Sequence, residues 1–115
     1  MSWWVYLVDE DGWVGVDKHT EGGTYVVGGR DEAALNVTYN YNIHYLQELD
    51  SEAGLRWLNG KKARDVTDAL AKAVDTLGVE PADDYWEPTA GNAGRALATL
   101  LDWAKQYPEA VFRVS

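Results

Sequence analysis

His44 and Glu48 stand one helical turn apart, a spacing that can bring an imidazole and a carboxylate onto one metal ion or one proton relay. His19 and Glu21 are the other candidates of that kind, and no third ligand is spaced to complete a site. An ordinary surface pair explains His44 and Glu48 as well. The chain has no cysteine, which excludes thiolate nucleophiles, disulfides and cysteine-held metals. The serines Ser2, Ser51 and Ser115 lack the Gly-x-Ser-x-Gly setting of a hydrolase nucleophile. No catalytic residue, no metal site and no cofactor is therefore expected.

Binding chemistry has more material. Gly60-Lys61-Lys62 immediately precedes a predicted helix, and Arg64 follows within its first turn. Free N–H groups, the helix dipole and three cationic side chains can converge there on an anion such as phosphate. A solvated basic turn is the plain alternative, and neither a P-loop nor a dinucleotide fingerprint is present. A second set is aromatic and amide. Tyr39, Tyr41, Tyr45, Tyr85 and Trp86 can stack on a planar base, while Asn36, Asn40, Asn42 and Asn92 can read its edges. Core packing competes with that role for each tyrosine. Gly91 and Gly94, one turn apart, either let a ligand approach or let a helix pack closely.

The elements that must position these residues follow from periodicity. Trp3 to Val8 is apolar on both faces, which predicts a central strand covered on both sides. Asp9-Glu10-Asp11-Gly12 is turn chemistry, so Trp13 to Lys18 pairs back as a hairpin strand. Thr24 to Val27, between glycine pairs, predicts a third strand. Leu35 to Ile43 alternates without a break, placing Leu35, Val37, Tyr39 and Tyr41 on the buried face and Asn36, Thr38 and Asn40 on the other. Asn42 is expected to cap a two-turn helix, Ile43 to Leu49, and Ser51 to cap another ending near Asn59-Gly60. Ala63, Val66, Leu70, Ala73, Val74 and Leu77 lie at helical spacing ahead of Gly78, predicting a helix over 63–77. Thr89 opens a last helix with the stripe Ala93, Leu97, Leu100, Leu101 and Ala104, and Pro108 ends it. Val79 to Pro88 is an acidic loop between them, and Ala110 to Val114 reads as a closing strand.

The expected fold class is α+β, a single domain over 1–115: a mainly antiparallel N-terminal sheet, joined by the C-terminal strand, packed on two amphipathic helices. Six Trp and seven Tyr in 115 residues exclude disorder. The net charge of −9 opposes nonspecific nucleic-acid binding, yet residues 56–64 carry +4 and leave −13 on the remainder. Lack of cysteine, of a signal-like N-terminus and of any long apolar run predicts a cytoplasmic protein with no membrane partner.

The stretches Asn36-Val37-Thr38-Tyr39-Asn40-Tyr41, Gly54-Leu55-Arg56-Trp57-Leu58-Asn59-Gly60-Lys61 and Tyr85-Trp86-Glu87-Pro88-Thr89-Ala90-Gly91-Asn92-Ala93-Gly94 carry a resemblance. From about residue 19 to its end the chain resembles small uncharacterised proteins encoded by bacteriophages and by bacterial genomes as prophage genes. The resemblance implies a phage accessory protein working in the host cytoplasm and implies no mechanism. Taken with the residues, it gives the expectation of a non-catalytic protein that binds or sequesters a small anionic ligand, nucleotide-derived and of the host-defence signal kind. Lys61, Lys62 and Arg64 would hold phosphate; Tyr85, Trp86, Asn92, Tyr45 and Asn40 would hold the base. The rival expectation is an acidic inhibitor covering a host protein, or a structural interaction module, and self-association is left open.

Overall fold

The structure is a computed structural model and describes residues 1–19 and 30–115, the side chains of Lys18 and Arg30 excepted. The strand expected at Thr24 to Val27 lies outside the described residues. In chain order the elements are β1 (Ser2–Asp9), β2 (Gly12–Trp13), β3 (Gly15–His19), β4 (Arg30–Glu32), β5 (Ala34–Thr38), α1 (Asn42–Glu48), α2 (Ala63–Leu77), α3 (Ala90–Gln106) and β6 (Val111–Val114). Short 3-10 helices occupy Tyr39–Tyr41 and Gly54–Leu58. The fold is α+β, with an antiparallel sheet backed by helices.

β1 is the central strand, as its sequence implies. It pairs antiparallel with β5, Ser2 opposite Thr38 and Tyr6 opposite Ala34, and on its other edge with β6, Val5 opposite Val114 and Val8 opposite Val111. Its burial alternates, however, so the expected double cover is incomplete. Trp3, Val5 and Leu7 are buried in one core with Val66, Leu70, Leu97, Leu100 and Phe112, each large side chain contributing about 1.5–3 kcal/mol. The opposite face carries Trp4, Tyr6 and Trp13 as a stacked row, with centroids 6.2 and 5.1 Å apart and planes within 13°. Stacking lets these rings cover one another, and Trp13 stays 46% exposed.

The expected strand from Trp13 to Lys18 breaks at Val14, where three strands meet. Leu7 N–H bonds to Ala33 O, Ala33 N–H to Val14 O and Val14 N–H to Leu7 O, at 3.0, 3.0 and 3.1 Å. This closed triangle lets β3 leave β1 and pair with β4 as a separate two-stranded arm. The arm lies against α3: the Tyr107 hydroxyl donates to Gly15 O, and the His19 ring meets Trp103 edge-on.

The alternation of Leu35 to Ile43 does not continue as a strand. Thr38 Oγ1 accepts from Asn40 N–H at 3.2 Å, and this cap turns the chain into the 3-10 helix that leads into α1. Asn42 is consequently the first residue of α1 and not its cap. Asp50, rather than Ser51, organises the next turn, its Oδ2 accepting from the Glu52 and Ala53 N–H groups. α2 spans the expected residues, and Thr89 Oγ1 caps α3 by accepting from Asn92 N–H at 3.1 Å. α2 and α3 pack along one another. No helix among the described residues is long and apolar enough to cross a membrane.

Candidate ligand cleft

The cationic segment closes on the protein's own backbone. Ala63 N–H bonds to Ala110 O at 2.8 Å and Arg64 N–H to Pro108 O at 2.9 Å, so the first turn of α2 already has its acceptors. Lys62 and Arg64 both reach Glu109, at 3.5 and 3.0 Å, and Lys61 lies 4.9 Å from the Trp57 ring centroid. These exposed contacts contribute little stability, but they lower the local positive potential that a phosphate would need. Position separates this cluster from the aromatic set as well. Pro108 and Glu109 follow the C-terminal end of α3, whereas Asn92 lies in its first turn, about 21 Å away along the helix. The joint use of Lys61, Lys62 and Arg64 with Trp86 and a tyrosine on one small ligand is not what the fold assembles.

The aromatic and amide residues do come together, and their polar atoms hold the 79–89 loop. Asn92, 6% exposed, accepts from Ala82 N–H at 2.9 Å and donates through Nδ2 to Asp84 O, Tyr85 O and Glu87 O at 2.9, 3.4 and 2.9 Å. Asn40 Nδ2 donates to Trp86 O at 2.8 Å, His44 Nε2 to Pro88 O at 2.9 Å, and the Tyr41 hydroxyl to Tyr85 O. Tyr45, fully buried, donates to Ala93 O at 3.0 Å. Gly91 and Gly94 serve the same assembly. A Cβ on either would stand 1.9 Å from the carbonyl oxygen of Glu80 or Gly78, so close backbone packing, not ligand access, accounts for them.

Between this loop, β5 and α3 lies a cleft of about 450 Å³. His19, Asn36, Asp83, Tyr85, Arg95 and Thr99 are among the residues that line it. Of the expected site residues, Tyr85 and Asn92 line the cleft; Asn40, Tyr45 and Trp86 stand beside it; Lys61, Lys62 and Arg64 are remote from it. Comparison with protein-family models, curated proteins and solved structures finds no match. The cleft's chemistry therefore has to be read from its own groups. Arg95 is a wall residue that sequence reasoning missed. Its signal was spacing: Asn92, Arg95, Ala96 and Thr99 recur at i, i+3, i+4 and i+7, which puts them on one helix face.

The two buried tyrosines also mark this region electrostatically. Burial, reinforced by Tyr85 and Asp84, pushes the Tyr41 hydroxyl well above the usual tyrosine range. Burial raises Tyr45 in the same direction. Above about pH 10 the unfolded chain releases protons that the folded chain keeps, so stability is complete below that pH and falls as pH rises toward the folded values. Urea titrations should show a flat plateau to about pH 10 and then a loss of about 1.4 kcal/mol per pH unit for each tyrosine still protonated. Unchanged stability from about pH 9 to 11.5 contradicts this.

Proposed function

We propose that the chain is a non-catalytic binding protein that holds a small, planar, anionic, nucleotide-like ligand in the cleft between β5, α3 and the 79–89 loop. The observation that carries the reading is the composition of its walls: Arg95, Tyr85 and the Asn36 strand edge line one concave space of about 450 Å³. That volume falls in the range of small-molecule sites. A guanidinium suits a phosphate or carboxylate, and the Tyr85 ring offers apolar contact to a planar base. The groups best able to move protons are held in structural bonds, His19 Nε2 to Glu32 O at 2.8 Å and the Tyr41 hydroxyl to Tyr85 O, which favours holding a ligand over transforming it. In the phage setting that the sequence suggests, the ligand would be a nucleotide-derived defence signal, removed by sequestration in the host cytoplasm.

Isothermal titration against a panel of mononucleotides and cyclic nucleotides tests this. Micromolar binding is expected for at least one, and Arg95→Ala should weaken it about tenfold or more. Substituting Lys61, Lys62 and Arg64 together by alanine should leave it unchanged. Affinity no tighter than millimolar for every compound overturns the reading.

One observation favours a second reading, an acidic inhibitor of a host protein: half-exposed Trp13 stacks on Tyr6 beside the turn that carries Asp9, Glu10 and Asp11. Aromatic area beside carboxylates suits a basic protein surface. A host partner whose capture is lost with Trp13→Ala and with added salt, but not with Arg95→Ala, would select it.

A further inference from the structure

The two edges of the sheet are finished differently. Even-numbered residues of β1 bond toward β6, as Trp4 does with Ser115 through bonds of 3.0 and 2.9 Å; odd-numbered ones bond toward β5, as Leu7 does with Ala33 O at 3.0 Å. Antiparallel alternation then turns the N–H and C=O groups of Ala34, Asn36 and Thr38 away from β1. On β6 the equivalent outward groups are closed by residues 59–61. Phe112 O accepts from Gly60 N–H, Phe112 N–H bonds to Lys61 O and Val114 N–H to Asn59 Oδ1, at 2.8, 2.9 and 3.0 Å. On β5 the Tyr85 hydroxyl donates to Asn36 O at 3.0 Å, and the Asn36 N–H meets no acceptor among the described residues.

Asn36 is 8% exposed, and its side chain turns back to Ser2 Oγ and Trp3 O at 2.7 and 3.3 Å. What it presents to the cleft is therefore its main chain. A buried N–H without a partner is costly enough that structures rarely leave one. Here it lies next to a carbonyl that, among the described residues, accepts from the Tyr85 hydroxyl of the 79–89 loop.

We propose that this strand edge is the specificity element of the cleft: the Asn36 N–H and C=O read the pairing edge of a nucleobase-like heterocycle, on which a donor and an acceptor sit side by side. The inference rests on the cleft being the ligand site. The N–H and C=O of one extended residue point the same way, so a planar ring that offers complementary groups on neighbouring edge atoms makes both bonds at once. The Tyr85 hydroxyl holds the acceptor's place and yields it when the ligand enters. Burial decides against an added peptide strand. Ala34 and Thr38 are 0% and 1% exposed, and only Leu35 and Asn36 of β5 line the cleft, one residue's length of usable edge.

The test compares uridine and guanosine monophosphates with their N3-methyl and N1-methyl counterparts by isothermal titration. At least one parent should bind, and methylating its pairing edge should weaken binding about tenfold or more. Tyr85→Phe, which frees the Asn36 carbonyl, should tighten the parent several-fold and leave the methylated compound unchanged. A methylated compound that binds as tightly as its parent overturns the edge readout and leaves the small-ligand reading standing. Failure of both parents while another class of anion binds also overturns the edge alone; failure of all compounds overturns both. If Tyr85→Phe does not fold, the comparison on the unaltered chain still decides.

Discussion

Gly94→Ala will destabilise the protein by about 3 kcal/mol, seen as a fall of about 12 °C in Tm, although alanine is the better helix former. Helix propensity alone favours the substitution by about 1 kcal/mol. Against it stands a Cβ placed 1.9 Å from Gly78 O and 3.0 Å from Leu77 Cβ. The oxygen belongs to backbone, so no side-chain rotation relieves the contact; α3 and the chain leaving α2 must move apart. Gly91→Ala meets Glu80 O at the same 1.9 Å and should behave alike. Thermal melts of both variants check this. A melt at or above that of the parent chain would mean that α3 does not pack this closely on residues 78–80.

Asn92→Ala will cost about 3 kcal/mol and release the 79–89 loop, because one side chain bonds Ala82 N–H and the carbonyls of Asp84, Tyr85 and Glu87. The loss falls short of four separate hydrogen bonds because some of the freed groups, such as those of exposed Asp84 and Glu87, regain water. Amide exchange over residues 82–87 should accelerate by orders of magnitude more than exchange in β1. Asn92→Asp is the sharper probe. It keeps the acceptor for Ala82 but sets a carboxylate against three carbonyl oxygens, so the folded state raises the new group's pKa. The variant should therefore be relatively more stable near pH 4 than at pH 7, since a raised acid pKa contributes stability below the unfolded value of about 3.9 that is lost above it. Equal loss at both pH values would remove the carbonyl cage from the account.

Both predictions concern residues visible in the sequence, and the way each was read shows what pattern carries. α2 was legible end to end because its apolar period and Gly78 agree, and Thr89 and Pro108 bracket α3 in the same manner. The end of β5 was not, because Tyr39 and Tyr41 prolong a two-residue rhythm through a segment that Thr38 has already turned. The sequence marks Asn92 as a reader of a ligand's polar edges, whereas its bonds go to the 79–89 loop; a polar residue inside a capped helix looks the same in either case. The pairing of the cationic cluster was not legible, for a reason that spacing hides: Glu109, far along the chain, is brought to Lys62 and Arg64 by the antiparallel return of α3. Arg95 and the Asn36 main chain were the least legible. One is an ordinary helix-surface residue by composition, and the other presents to the cleft only atoms that every residue has.

The placement of β1 between β5 and β6 also sets an order of assembly. β1 is synthesised before either neighbour; one of its edges can be satisfied by residues 34–38, but the other waits for residues 111–114. Throughout translation of α1, α2 and α3, the β6-facing N–H and C=O groups of Trp4, Tyr6 and Val8 are an open template beside the aromatic row. During that interval the nascent chain is most exposed to pairing with another strand. Rapid expression at high temperature should therefore lower soluble yield more than the stability of the finished fold would suggest.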